Sequence, residues 1–247
     1  MPETLALTLG LTRLLNHLFG GAVAATMQAV DVRPANPAAP INDTFALEAL
    51  VAAGLIVFFI LVRLTLSVEN PNPAQQLAEM VHEFTGNQVG QVMGHGYERF
   101  QAFITCILLF VLFNNLLGLI PGIETPTKSP SVPLGLAVLT FVYYHFHGFR
   151  VNKIGYLKQF VGPVWWISWL LCPIEIISHL ARVMSLTIRL YANMLASDLV
   201  TLVFFSLIPL AIPSVFLGLH FFVSLIQAYI FMLLSSIYLA GAISHEH

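Results

Sequence analysis

Residues 174–208, IEIISHLARVMSLTIRLYANMLASDLVTLVFFSLI, run without a Pro or a Gly. As one α-helix they would reach about 52 Å, well beyond the roughly 30 Å hydrocarbon core of a bilayer. A helix of that length in a membrane must tilt steeply or break. Midway along it stands Arg189. Placing a guanidinium at bilayer depth costs about 2.5–3.5 kcal/mol on insertion scales, so an arginine there is expected to serve a function.

The rest of the composition points the same way. Apolar residues make up 57% of the chain and charged residues 9%, whereas a soluble domain carries about a quarter charged residues. So few charges cannot cover a water-facing surface, and the chain reads as an all-α integral membrane protein. Its 10 Lys and Arg are scattered and form no basic patch, so no nucleic-acid partner is expected. Cys106 and Cys172 fall in apolar segments and read as small buried hydrophobes rather than a disulfide or metal pair. The N-terminal stretch has Glu3 and no basic start, and Arg13, Asn16 and His17 interrupt its apolar run, so no signal peptide is expected.

Residues 1–43 read as an extramembrane tail, with Pro34, Pro37 and Pro40 as an extended link, and residues 44–247 as a single polytopic membrane domain. Leu47–Leu66 is the first expected span, with Arg63 snorkelling at its end. The sequence VENPNPAQQL breaks it. Asn72 then suits a helix N-cap and Pro73 the first helical position. The following helix alternates Leu77, Met80, Val81, Phe84 and Val92 with Gln75, Glu79, Glu83 and Gln91. It is amphipathic and too polar to span, and its acidic face predicts an interfacial helix lying against protein rather than anionic lipid. Phe100–Leu119 is the second span. A turn through Pro126, Pro130 and Pro133 leads to the third, Leu134 to about Phe146, which is short and is expected to extend through partly polar turns. Leu219–Ala240 pairs with the long run through PLAIPSVFLG. The hairpin 174–244 thus supplies the last two of five membrane-embedded helical segments, both long and tilted. Trp165, Trp166 and Trp169 read as an interfacial belt.

Orientation follows from Arg150, Lys153 and Lys158 after the third span, set against Lys128 alone after the second. The former loop is assigned to the cytoplasmic side, the N-terminal tail to the outside and the C-terminus to the inside.

At 100° per residue Glu175, Arg182 and Arg189 share a stripe about 40° wide, continued by Asn193 and Ala196. Asp198 stands about 180° round the helix from Arg189 and about 13 Å further along. Glu175 is about 21 Å away, so neither carboxylate can pair with Arg189, and its counter-charge is expected on another helix or subunit. Ala192, Ala196 and Ser197 would let such a helix approach closely. Arginine stays charged and cannot relay protons, but it can attract an ionised carboxylate and block a leak. Groups that could pass protons are Asp198, Glu175, His179 and His220, helped by Asn115, Ser185, Asn193 and Gln227. Hairpin geometry sets Asp198 and His220 at one depth near the outer side, within reach of Asn114 and Asn115, and sets Arg189 and Gln227 deeper. Two polar approaches, one from each side, would then flank Arg189. Taken singly, His220 could be an interfacial histidine, Gln227 interhelical glue and Glu175–His179 a structural pair. His145 and His147 read as a solvated helix end, as do His245 and His247.

The string SLTIRLYANMLASDL, followed after a Pro-containing turn by LHFFVSLIQAYIFMLLSSIYLAGAISHEH, strongly resembles the subunit a family of F-type ATP synthases. The resemblance runs from about Asn115 to the end, and more loosely includes NHLFGG and the ENPNP break. It implies a stator subunit of the membrane sector, partnered by the c-ring and the peripheral-stalk b subunits in a bacterial inner membrane. It also implies that Arg189 faces the carboxylate of each c-subunit. Asp198, His220, Gln227 and Asn115 would belong to the outer half-channel, and Glu175, Ser185 and Asn193 would lie on or near the inner path. Two departures stand out. Asp198 replaces a glutamate common in the family, and Gly118 stands where some members carry an acid, so other groups or water must serve there.

Rival readings predict other features. A proton-coupled secondary transporter calls for internal repeats and broken helices around a midplane site, and neither is visible. A b-type cytochrome calls for facing histidines, for which His179 and His220 are the deep candidates. No GxxxxGKS or GKT loop is present, so no nucleotide site is expected, and no cofactor or metal site either.

Overall fold

The computed structural model describes residues 2–29, 40–120, 123, 125–153, 155–156, 168–207 and 212–243. Among these residues the regular elements are helices: α1 (Pro2–Ala29), α2 (Asp43–Leu64), α3 (Pro73–Met93), α4 (Glu98–Leu116), α5 (Ser131–Asn152), α6 (Ser168–Leu207) and α7 (Ile212–Ile243). Two short 3₁₀ turns, Leu117–Leu119 and Pro126–Lys128, lie between α4 and α5. Five helices, α2 and α4–α7, are long and apolar enough to cross a membrane, so the chain is a multi-pass membrane protein. The third span gains polar turns at both ends, as its short apolar stretch predicted. α6 begins before Pro173 rather than after it, and α7 starts seven residues earlier than expected. Proline is tolerated where the N–H it lacks has no helical partner, as in a first turn, or where the helix can bend.

Lipid offers little hydrophobic drive between helices, so close packing and interhelical hydrogen bonds hold them. The main core joins α4, α5, α6 and α7 through Ile104, Ile107, Val111, Leu136, Leu190, Met194, Phe231 and Met232. The Phe103 and Tyr143 rings stack at 3.6 Å between α4 and α5. At the end of the bundle carrying Glu175, Asn152 Nδ2 donates to the Ala242 carbonyl at 3.1 Å. Past α5 the chain turns through Lys153, at φ 48°, and returns Tyr156 onto Gly148, where an added Cβ would lie 2.6 Å from the ring. Cys106 is exposed on α4 rather than buried.

α3 starts as expected, with Asn72 extended and Pro73 in its first turn, and stops at Gly94, whose φ of 69° suits glycine. It folds back along α4. The Thr85 and Thr105 hydroxyls meet at 2.9 Å, Gln101 Nε2 donates to the His82 carbonyl at 2.6 Å, and Tyr97 lies on Gly90. The expectation that its acidic face lies against protein is corrected: Glu79, Glu83 and Gln91 are exposed, and the side turned to protein carries Gln75, Thr85, Gly86 and Val89. Gln75 is buried and holds the Ser67 backbone, and Gln88 accepts from the Tyr229 hydroxyl of α7 at 2.9 Å. Leu77, Met80 and Phe84 face outward.

The read-out tail contains α1, a helix that its scattered glycines and polar residues did not announce. The Asn16 side chain grips the Ile41 backbone at 3.0 and 3.1 Å, and Thr12 bonds Asp43 at the start of α2. Trp169 is exposed at the start of α6, while Trp165, Trp166, Pro34, Pro37, Lys158, His245 and His247 lie outside the described residues.

A double variant, Thr85→Cys with Thr105→Cys, in a chain with Cys106 and Cys172 replaced by Ser, should form an intrachain disulfide on mild oxidation in membranes. Failure to cross-link would remove α3 from the side of α4.

Candidate functional site

Three contacts mark the antiparallel register of α6 and α7. Ser197 Oγ lies 2.8 Å from His220 Nδ1. Next along α6, Asn193 Nδ2 donates to Gln227 Oε1 at 2.8 Å, and beyond it the Arg182 guanidinium sits 5.5 Å from the Tyr238 ring centre. Arg189 falls between the second and third contacts.

One polar cluster forms around Asp198. Its Oδ1 accepts from the Thr125 hydroxyl at 3.2 Å and lies 3.4 Å from His220 Nδ1. His220 is buried, and its Nε2 lies 3.2 Å from the Asn115 carbonyl. Thr127 donates to Asn115 Oδ1 at 2.7 Å. The loop between α4 and α5 therefore reaches across to the α6–α7 hairpin. Gly118 explains how the cluster fits. A Cβ there would collide with the Thr125 hydroxyl and come within 3.0 Å of His220 Nε2. The volume an acidic side chain would need is already filled by Thr125 and the imidazole.

His220, Ser224 and Gln227 continue inward as one buried stripe of α7, at spacings of about one turn. Ser224 Oγ, Gln227 Nε2 and Asn115 Nδ2 have no hydrogen-bond partner among the described residues. A buried polar atom left unpaired costs about 1–3 kcal/mol, and buried water is the usual partner for such groups. The stripe is chemically suited to a hydrated path. Past Gln227 it turns apolar, as Ala228, Phe231 and Met232 pack on Leu186, Leu190 and Met194. Asn114 is buried beside the cluster, but its amide donates to the Phe110 carbonyl of its own helix at 2.8 Å.

A second cluster lies at the opposite end of α6. His179 Nε2 is 3.4 Å from Glu175 Oε1, and its Nδ1 is 2.9 Å from the Tyr144 hydroxyl. The His145 ring stands 4.8 Å from that of His179 and 5.8 Å from that of Tyr156. Burial pushes the Tyr156 hydroxyl up to about 12, with Arg182 opposing and Glu175 adding to the rise, so Tyr156 is a neutral hydroxyl at physiological pH. His145 is thus packed into this cluster, and His147 rests edge-on against Phe100 at 5.1 Å. The expectation of a solvated helix end is corrected for His145, which α6 and the returning Tyr156 half cover, while His147 stays half-exposed.

Between the clusters stands Arg189. Among the described residues no carboxylate lies within ion-pair distance of it. Ser185, Ala192, Asn193 and Ala196 are exposed along the same flank. α6 is the least covered of the five spans, with 11% of its most apolar stretch buried against 22–44% in the others. The helix presents an open face with a cation in its middle.

The structure therefore brings Asn115, Asp198 and His220 together and sets the Asn193–Gln227 pair just inward of them. Glu175 lies at the far end, and Ser185 lies one turn from Arg189 on the Glu175 side. Thr125, Thr127, Ser197, Ser224, Tyr144 and Tyr156 were not singled out as members of these clusters. Only Ser224 carried a usable signal, its spacing between His220 and Gln227. His179 and the partner of His220 stand about 27 Å apart along α6, too far for the two histidines to ligate one iron. No group of three or more His, Cys, Asp or Glu suited to a metal occurs among the described residues.

Comparison with known proteins agrees with this arrangement. The family model described as "ATP synthase A chain" matches residues 46–240. The chain is 54% identical to ATP synthase subunit a of Koribacter versatilis, over 96% of its own length and 97% of the relative's. It is 45% identical to the same subunit of Solibacter usitatus, over 94% and 99%. With that of Aquifex aeolicus it shares 40% identity, over 80% and 95%.

Gly118→Ala should cost about 1–3 kcal/mol by overpacking against Thr125 and His220. It should lower the unfolding temperature of the detergent-solubilised protein, and Gly118→Asp should lower it further. An unchanged melting curve for both would contradict the crowding at this position.

Proposed function

The chain belongs to the ATP synthase A chain family, and from that premise we propose how its residues divide the work of a proton-translocating stator subunit in the membrane sector. The observation that carries the proposal is Arg189, a cation on the open face of α6 with no carboxylate within ion-pair distance among the described residues. A charge so placed favours a partner that brings the carboxylate. A c-ring, presenting one acidic side chain after another, fits that requirement, and exposed Ala192 and Ala196 leave room for a moving helix.

In this reading protons arrive at the Asp198–His220 cluster and pass Asn115, Ser224 and the Asn193–Gln227 pair to the ring carboxylate. Neutralised there, the carboxylate can enter lipid. After nearly a full turn it returns to the opposite flank of Arg189 and releases its proton past Ser185 toward Glu175. Arg189 holds the ionised carboxylate between the two approaches and, being unable to give up its own proton, blocks direct transfer. Leu186, Leu190, Met194, Phe231 and Met232 pack as an apolar layer between the two clusters, which favours transport by way of the partner. A secondary transporter would instead hold its charge at a broken-helix midplane site, whereas α6 runs unbroken through Arg189.

The subunit is non-catalytic in this account. ATP is made in partner subunits, the b subunits brace the chain, and the complex sits in a bacterial inner membrane. Residues 44–247 form the membrane domain, with the Glu175 end toward the cytoplasm and residues 1–43 outside, α1 being fastened to the start of α2 by Thr12 and to Ile41 before it by Asn16.

Arg189→Ala should abolish coupled proton transport in inverted vesicles while the complex still assembles; normal proton-driven ATP synthesis in that variant would end the proposal. Asp198→Asn should slow transport about tenfold, less than the roughly 100-fold or more of an obligatory proton-transfer group, because water can bypass it. An unchanged rate would remove Asp198 from the path. His220→Ala should slow transport to a degree that varies with the pH on the Asp198 side, and a slowing uniform across pH would mark His220 as structural.

A further inference from the structure

Assigning Glu175 to the inner path leaves its neighbours without a task. The His179 side chain is 7% exposed and that of Glu175 30%, so the carboxylate is partly open and the imidazole is not. The Tyr144 hydroxyl lies 2.9 Å from the imidazole Nδ1, and Glu175 Oε1 lies 3.4 Å from its Nε2, within ion-pair distance but outside hydrogen-bond geometry. Tyr144 is itself buried and backed by Tyr238, 6.3 Å away between ring centres.

We infer that His179 is a positioning residue for proton exchange at Glu175, held in place by Tyr144, and that the two together set the pH range in which the inner path accepts and releases protons. The inference rests on the proposed placement of Glu175 on that path. A neutral imidazole has one donor and one acceptor nitrogen. Beside an ionised Glu175 the hydrogen belongs on Nε2, since a lone pair there would face the carboxylate. Nδ1 must then accept, and a buried acceptor without a donor is costly. The Tyr144 hydroxyl supplies that donor. If the imidazole takes up a proton, Nδ1 becomes a donor, and the same hydroxyl can turn to accept it. Both states keep Nδ1 partnered, and the Glu175 carboxylate, 3.4 Å from Nε2, is the nearby counter-charge.

The other titratable or charged groups around the pair, among the described residues, are Arg182 on α6, His145 on α5, Tyr156 beyond it and Tyr238 on α7. Arg182 is occupied over the Tyr238 ring, which leaves His179 as the group whose nitrogen points at the carboxylate. A structural pair alone would explain the Glu175–His179 spacing, but it would not require a hydroxyl at the second nitrogen.

The test is the rate of ATP-driven proton pumping, and of ATP synthesis, by the whole complex in vesicles, as a function of pH on the Glu175 side. Removing a donor from beside a carboxylate favours its protonated form. His179→Leu should therefore move the acid limb of the profile about 0.5–1 pH unit upward. Tyr144→Phe, which conserves volume, should move it the same way by less. His179→Gln, which keeps a donor near the carboxylate, should recover the original limb. In a Glu175→Gln background the His179→Leu shift should vanish.

Lower rates at every pH with unmoved limbs in both His179→Leu and Tyr144→Phe would overturn the inference, and so would a shift that persists without Glu175. If His179→Leu fails to assemble, Tyr144→Phe alone decides between these results. A Glu175→Gln variant with wild-type rate and profile would instead overturn the placement of Glu175 itself. An altered Glu175→Gln profile beside unmoved His179 and Tyr144 profiles would overturn only the role given to those two.

Discussion

The antiparallel contact between α6 and α7 is the interaction on which the rest of the molecule depends. It places Ser197 on His220, Asn193 on Gln227 and Arg182 over Tyr238, in that order along α6. A slip of one residue would turn these side chains by about 100° and separate every pair. The register is held by packing as well as by hydrogen bonds, since Leu186, Leu190 and Met194 meet Ala228, Phe231 and Met232 in the same seam. In lipid such packing is what remains to drive association, because surrounding hydrocarbon is as apolar as the side chains.

That seam is polar at both ends and apolar in the middle, and the distribution has a mechanical consequence. In the proposed reading protons approach from either side through hydroxyls, amides, carboxylates and imidazoles, and the stretch between is packed by apolar side chains. The one charge at intermediate depth, Arg189, lies on the outward flank of α6 and is not enclosed by the seam. A guanidinium cannot hand on its proton, so it acts by its field and position. The proposed transport relies on a second molecule at the open face of α6, the least covered of the five spans.

The two clusters are built differently. The Asp198 cluster draws on α4, the following loop, α6 and α7, and closes because Gly118 has no side chain to keep Thr125 away from Asp198. The Glu175 cluster draws on α5, α6 and α7 and is capped by Tyr156, folded back onto Gly148. In both, a glycine lets a bulkier partner approach the backbone, and in both a histidine lies between a carboxylate and a hydroxyl. The likeness is one of chemistry rather than of repeated sequence.

The sequence by itself determined the membrane class, the five spans, the amphipathic α3, the long hairpin and the nearness of Asp198, His220 and Asn115. Each is a consequence of one-dimensional quantities: runs of apolar residues measured against bilayer thickness, helical periodicity and the antiparallel folding of two adjacent helices. Arg189 was equally legible, since a charge within such a run is costly wherever the helix lies. Tertiary structure alone decided what entered from distant parts of the chain. Thr125 and Thr127 are small hydroxyls in a loop, and no periodicity distinguishes them until the loop crosses to α6. His145 read as the wet end of a helix, and only the return of the chain at Lys153 and the packing of α6 set it beside buried Tyr144 and Tyr156. α1 escaped notice because its glycines and polar residues blur the pattern, while its anchorage depends on one asparagine reaching the backbone 25 residues away. Periodicity reports which face of a helix is apolar; which side chains meet across helices depends on loop paths and on room left by glycines, and those are properties of the packed molecule.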